Sequence, residues 1–247
     1  MKKDVLEAFV RKYNLDGCIE PVKFTVDDSK QLRVFARTTD DQVYVDIRLN
    51  EFTDLGEMEF GVFETVKLKK MIAVLGETVE VSANINTKNK VDSITFKDDS
   101  VAAKFATADL SVIRVPTHAI DPPDTYDVEI ELNKEFVTKF IKAKNALPDE
   151  DRFTLVMNKN NKLEMVIGYS KRINNNKITL NVKTLNGKDS LTEAITFSAN
   201  YFKEILNSNS DCENAVLNVT AEGLATVTFT KNDFIATYYL VAIEDVK

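Results

Sequence analysis

The chain is poor in the residues that most enzymatic chemistry needs. Its 247 residues include one histidine, which leaves little room for histidine catalysis or histidine-rich metal sites. Seven glycines leave little room for glycine-rich phosphate loops. The two cysteines, Cys18 and Cys212, stand 194 positions apart and form no CxxC pair, so neither a zinc finger nor a disulfide scaffold is supported. They read as free thiols of a reducing compartment, with a single long-range bridge as the alternative. No run approaches the roughly 20 apolar residues of a membrane span, and Met1 leads into charged residues rather than a signal sequence. The expectation is a soluble, intracellular protein without a membrane partner. With 32 basic against 39 acidic residues the net charge is −7, which rules out a uniformly basic nucleic-acid binder. What is present is ordinary globular material, 44% hydrophobic and 29% charged, long enough for one or two domains with a substantial core.

Most of the sequence reads as short β-rich runs between polar turns. In the first half the runs are 22–26, 32–36, 43–49, 79–85, 93–96, 102–106 and 110–115. In the second half they are 153–157, 163–167, 177–182, 215–219, 226–229 and 235–243. Turn clusters such as Asp27-Asp28-Ser29, Asn158 to Asn161 and Lys231-Asn232-Asp233 separate them, at spacings that predict antiparallel meanders with one polar face. Four segments have helical period. They are about 2–13, with Val5, Leu6, Phe9, Val10 and Tyr13 on one face, and about 64–75, with Leu68, Met71, Ile72 and Leu75. A third is capped by Asn133 and closed by Pro148, with Phe136, Val137, Phe140 and Ile141 in its stripe. The fourth is opened by Ser198, with Tyr201, Phe202, Ile205 and Leu206. Each stripe reads as a core face.

The order of elements repeats. Val5-Leu6-x-x-Phe9-Val10 recurs 131 positions later as Phe136-Val137-x-x-Phe140-Ile141, and Ile94-Thr95-Phe96 sits 133 positions before Val227-Thr228-Phe229. A nearly constant offset of this length marks a duplicated domain of helix, three strands, helix and further strands. The prolines Pro116, Pro122 and Pro123 place an extended connector at 116–126, between a first domain at 1–115 and a second at 127–247.

The net charge conceals a segregation. The four helical segments carry twelve basic and five acidic residues, a net of +7, which leaves −14 on the rest. On a helical wheel Arg11, Lys70 and Lys142 fall opposite the apolar stripes, Lys67, Lys69 and Lys139 lie on the flanks, and Lys203 is outward on the fourth helix. Basic helix faces on an acidic body suit a polyanion backbone, but lysine is also a good surface residue for any helix, and the pattern alone leaves both readings open. No aromatic residues interleave with these lysines, so base stacking is not indicated. Contact would be with phosphates, independent of sequence and sensitive to salt.

The terminal run Tyr238-Tyr239-Leu240-Val241-Ala242-Ile243-Glu244-Asp245 resembles the end of the eukaryotic and archaeal sliding clamps, proliferating cell nuclear antigen (PCNA) and its relatives. Phe60-Gly61-Val62 and the helix through Lys70-Met71-Ile72 to Gly76 resemble the corresponding clamp segment. The opening directly in a helix, and the run 106–116, Ala-Thr-Ala-Asp-Leu-Ser-Val-Ile-Arg-Val-Pro, are similar to the T-even-type bacteriophage branch. The resemblance implies an α+β DNA-clamp fold of two duplicated domains, each with two helices on antiparallel sheets. It implies a closed homotrimeric ring around duplex DNA that tethers a replicative DNA polymerase and is opened by a clamp loader, in a host cytoplasm if the protein is viral. Lys3, Arg11, Lys12, Lys67, Lys69, Lys70, Lys139, Lys142 and Lys203 would line the DNA side. Edge strands near 106–114 and 177–183 would close the ring. A partner motif would bind Val43, Val115, Pro116, Ala119 and Ile120 together with Val241, Ala242 and Ile243. The sequence departs from many cellular clamps in having Val241-Ala242 where a proline precedes the terminal Ile-Glu-Asp.

No catalytic, metal or cofactor site is expected. The carboxylate pairs Asp27-Asp28, Asp40-Asp41 and Asp98-Asp99, and the run Asp149-Glu150-Asp151, fall in turns, where aspartate also bonds its own backbone. His118 lies in the connector without a matching nucleophile. The alternative reading is a non-enzymatic viral structural or assembly protein built from duplicated β domains.

Overall fold

The computed structural model describes residues 1–116, 120–170, 175–187 and 191–244. The chain divides into two units. Unit 1 comprises Met1–Thr38, Val45–Ala119 and Thr230–Ala236, and unit 2 comprises Thr39–Tyr44, Ile120–Phe229 and Thr237–Lys247.

Unit 1 opens with helix α1 (Lys3–Asn14), followed by strands β1 (Val22–Val26), β2 (Leu32–Arg37), β3 (Val43–Leu49) and β4 (Met58–Val62). Helix α2 (Thr65–Ala73) and strands β5 (Glu80–Ile85), β6 (Val91–Lys97) and β7 (Ala102–Ala106) complete it. Strands β3-β2-β1-β4 lie side by side in that order, and β5-β6-β7 form a second sheet. In unit 2 the elements are β8 (Val128–Asn133), α3 (Lys134–Ala146), β9 (Arg152–Met157), β10 (Leu163–Ile167), β11 (Ile178–Asn181), β12 (Thr184–Asn186) and β13 (Ile195–Ser198). Then come α4 (Ala199–Ser208), β14 (Asn214–Val219), β15 (Leu224–Lys231) and β16 (Phe234–Val241). Its sheets run β11-β10-β9-β13 and β12-β8-β14-β15-β16. The architecture is α+β on antiparallel ladders, as the alternating patterns predict.

The same packing recurs in both units. In unit 1 the ring of Phe9 on α1 meets Phe24 on β1 edge-on at 5.4 Å, and Phe24 meets Phe60 on β4 at 5.0 Å. In unit 2 Phe140 on α3 meets Phe153 on β9 edge-on at 5.6 Å, and Phe153 meets Phe197 on β13 at 5.6 Å. Strands β1, β2 and β8 alternate buried and half-buried residues along their whole length, so one sheet face takes the helices and the other stays polar. The caps follow the sequence signals: Asn133 accepts from the Phe136 N–H and Ser198 from the Tyr201 N–H. One carboxylate is fully buried among the described residues, Asp46 of β3. Burial alone would raise its pKa, but hydrogen bonds from Arg48 and Arg33 outweigh that and hold it below the ordinary carboxylate value.

Several sequence expectations change. Four strands, not three, separate the helices of unit 1, because 58–62 forms β4. Residues 128–133, not among the expected β-rich runs, form β8. The strand expected at 110–115 is instead a 3-10 turn at Leu110–Val112, because the Asp109 carboxylate accepts from the Ser111 N–H and curls the chain. The edge strand expected at 106–114 is therefore β7, Ala102–Ala106. The other expected edge, 177–183, is β11 at the end of its sheet. Cys18 and Cys212 form no disulfide and are both half-buried.

The turn at Leu110–Val112 depends on a close approach. The Ala108 N–H donates to the Gly61 carbonyl at 2.9 Å, and a Cβ built on Gly61 would lie 2.4 Å from Ile113 Cδ1 and 2.7 Å from the Ala108 oxygen. Gly61→Ala is expected to cost about 1–3 kcal/mol through overpacking, read as a lower urea midpoint with the slope unchanged.

Candidate nucleic-acid interface

Helices α1 and α2 run antiparallel against each other. The Lys3 ammonium donates to the Ala73 and Leu75 carbonyls at 2.8 and 2.9 Å, which joins the start of α1 to the end of α2. At the other end the Tyr13 hydroxyl donates to Thr65 Oγ1 at 3.2 Å, and burial raises the Tyr13 pKa well above its ordinary value. The stripe Leu6, Phe9, Val10 and Tyr13 of α1, with Leu68 and Ile72 of α2, is buried. Side chains opposite that stripe therefore face solvent. Helices α3 and α4 meet through Phe140 and Phe202, edge-on at 4.9 Å.

The nine expected DNA-side cations fall into distinct environments. Arg11, Lys67, Lys70, Lys139 and Lys142 are exposed, and Lys69 is half-buried. Lys67 is paired with Glu64 at 3.2 Å and Lys139 with Glu135 at 2.6 Å; the Lys139 bond holds the Glu135 carboxyl below its usual pKa. Among the described residues Lys69, Lys70 and Lys142 make no ion pair. Lys203 is half-buried against Glu204 at 3.1 Å. Lys3 is occupied at the C-terminus of α2, where its charge offsets the helix dipole. Lys12 departs from expectation: it is 1% exposed, with its ammonium 5.7 Å above the Phe234 ring, and belongs to the core of unit 1. Lys134, absent from the expected set, is exposed on the first turn of α3.

The expected partner residues are also placed. Unit 2 gathers Val43, Ile120, Val241, Ala242 and Ile243, while Val115 and Pro116 count with unit 1. Ala119 lies outside the described residues. Val43 is fully buried, Val241 is exposed, and Val115, Pro116, Ile120, Ala242 and Ile243 are half-buried. The terminal segment is pinned by its backbone. Val241, Ala242 and Ile243 donate to the carbonyls of Gln42, Gly223 and Thr196 at 2.9, 2.8 and 2.8 Å.

The carboxylate pairs act as turn-formers. Asp27 accepts from the Ser29 hydroxyl and the Gln31 N–H. Asp98 accepts from the N–H groups of Gly76, Ser100 and Val101, which lowers its pKa to about 2. Among the described residues no cluster of three or more His, Cys, Asp or Glu side chains could hold a metal ion. No helix there is long and apolar enough to cross a membrane.

By sequence, no family model and no curated protein matches the chain. By structure, it is similar to PCNA from Entamoeba histolytica, with a TM-score of 0.72 at 15% identity, covering 98% of this chain and 96% of that one. It is similar also to A. fulgidus PCNA, solved bound to the C-terminal region of FEN-1, with a TM-score of 0.73 at 14% identity, covering 100% and 98%. The chain has the clamp fold. At such identity the likeness lies in the order and arrangement of elements along the chain.

The burial of Lys12 separates it from the exposed lysines. Lys12→Glu would set a carboxylate against an aromatic face in the core, and is expected to cost at least about 2 kcal/mol. Lys70→Glu should change stability by less than about 0.5 kcal/mol. Urea denaturation of the two variants checks the contrast.

Proposed function

We propose that this protein is a PCNA-like sliding clamp, a non-enzymatic processivity factor that closes as a homotrimeric ring around duplex DNA and tethers a replicative polymerase. The observation that carries the reading is the likeness to PCNA over essentially the whole of both chains. Lys70 and Lys142, outward on α2 and α3, and the half-buried Lys69 on the flank of α2 make no ion pair among the described residues and support it. Lysine heads on flexible stems make weak, exchangeable phosphate contacts, which hold duplex DNA without stopping its movement. The acidic remainder of the chain repels DNA from other surfaces.

Ring closure on this reading would pair β7 of one subunit with β11 of the next, since each ends its sheet with one side unpaired among the described residues. Such pairing removes two exposed strand edges. The polymerase and the clamp loader would contact Val43, Ile120 and Val241 to Ile243 of unit 2, while Val115, Pro116 and Ala119 are carried only by the sequence resemblance. A. fulgidus PCNA bound to a FEN-1 segment supports a peptide-type partner of this sort. The resemblance of the run 106–116 favours a T-even-type phage clamp working in a host cytoplasm.

Light scattering over a concentration series tests the assembly: the expected mass is three times the 27.9 kDa of the chain, and a mass that stays monomeric in the presence of nicked circular DNA and a loader counts against the ring. The double variant Lys70→Glu, Lys142→Glu should keep the assembly mass while lowering polymerase processivity on primed DNA by about tenfold, with a shallower dependence on salt. Unchanged processivity would remove α2 and α3 from the DNA side.

A further inference from the structure

Strand β4 is laddered to β1 on one side and nearly bare on the other. In that antiparallel ladder Gly61 lies opposite Lys23 and Glu59 opposite Thr25. The Gly61 carbonyl accepts from Ala108, so Gly61 turns its polar groups away from β1, and the two-residue period turns those of Glu59 the same way. Among the described residues no backbone group meets Glu59 on that side. Its N–H and C=O face a groove of about 720 Å³, walled by the tip of the β5–β6 hairpin and by the turn after β7. That volume suits several side chains of a ligand.

The walls carry apolar surface and surplus negative charge. Ile85 is 53% exposed and Leu110 37% exposed, so both offer apolar surface to a ligand. Of the carboxylates, Asp109 is met by Lys90 at 3.0 Å and Glu59 by Lys23 at 2.7 Å. Glu57 is met by no cation among the described residues, and Asp92 accepts only from the neutral Asn86 amide, at 2.7 Å. Lys88 is the one cation on the walls left to offset both. A polyanion is disfavoured here, and a cationic ligand favoured.

The position recurs in the duplication. In unit 2 the equivalent edge is β13, where the Thr196 carbonyl accepts from the Ile243 N–H at 2.8 Å. Gly61 and Thr196 are 135 positions apart, and so are Ala108 and Ile243. In both units the edge of the second-helix strand is thus a place where added backbone is accepted.

We propose that the β4 edge takes an extended, basic peptide segment of a partner protein by strand addition. Its backbone pairs with Glu59, its apolar side chains rest on Ile85 and Leu110, and a Lys or Arg faces Glu57 and Asp92. The site is built from unit 1 alone and stands whether or not the chain encircles DNA.

The test uses the full chain and a fluorescein-labelled octapeptide of alternating valine and lysine, followed by anisotropy and by amide hydrogen exchange. Peptide binding should slow exchange of the Glu59 amide. Glu57→Lys with Asp92→Lys should weaken binding by about tenfold or more. Glu59→Pro removes an outward N–H that the β1 ladder does not use, and should weaken binding by about tenfold; circular dichroism verifies that both variants fold. Binding that leaves Glu59 exchange unchanged, or that survives the charge reversal, overturns the proposal. So does a Glu59 amide already protected without peptide in step with self-association, which would make a second copy the occupant.

Discussion

Everything else in the molecule depends on how each helix pair is seated on its sheet. Phe9 on Phe24 on Phe60 in unit 1, and Phe140 on Phe153 on Phe197 in unit 2, join the first helix, the central strand and the strand before the second helix. Burying one such ring is worth about 1.5–3 kcal/mol, and an aromatic pair adds about 0.5–1.5 kcal/mol. The ladder also fixes rotation. Once Phe9 and Tyr13 point into the core, Arg11 can only point out; once Phe136 and Phe140 are buried, Lys139 and Lys142 are exposed. The charge on the outward helix faces is a consequence of how the cores are built.

That logic explains what could be read from the sequence. Helix period, the Asn133 and Ser198 caps and the offset near 131 are local or self-referencing signals, and all of them survive in the fold. Losses occur where a distant contact decides. Residues 110–115 are β-branched enough to read as strand, but the Asp109 carboxylate bonds the Ser111 N–H and Ile113 folds over Gly61. Strand β4 contains that glycine, which weakens its pattern, while β8 alternates clearly and was masked by the prolines just before it. Lys12 sits at the border of the α1 stripe, and no helical wheel can foresee Phe234 from the far end of the chain lying beneath its ammonium. The pairings of Lys67 and Lys139 were legible in principle, since Glu64 and Glu135 stand three and four residues before them.

The duplication has diverged unevenly. Unit 2 has β8 ahead of its first helix and pairs it along β14. In unit 1 Lys2, just ahead of the first helix, forms a bridge with Thr78, and the Met1 ammonium is held by Asp54 at 3.0 Å and by the Val79 carbonyl at 2.7 Å. The difference leaves the aromatic ladders untouched, because each lies on the other sheet of its unit.

Under the clamp reading, the small number of unpaired lysines in the expected set, among the described residues, bears on the mode of DNA contact. Lys69, Lys70 and Lys142 carry the unpaired ammonium groups of the expected set, while Lys3, Lys12, Lys67, Lys139 and Lys203 are each engaged within the protein. Each phosphate contact contributes a slope of about 0.9 in log affinity against log salt, so a handful per chain gives weak binding at physiological ionic strength. Retention on DNA by affinity alone would demand far more free cations than these helices present. On the clamp reading, durable holding would come from several copies acting together around DNA that has no open side to leave by. Under the clamp reading, closure of the assembly supplies the holding, and the lysines need only keep the duplex away from the walls.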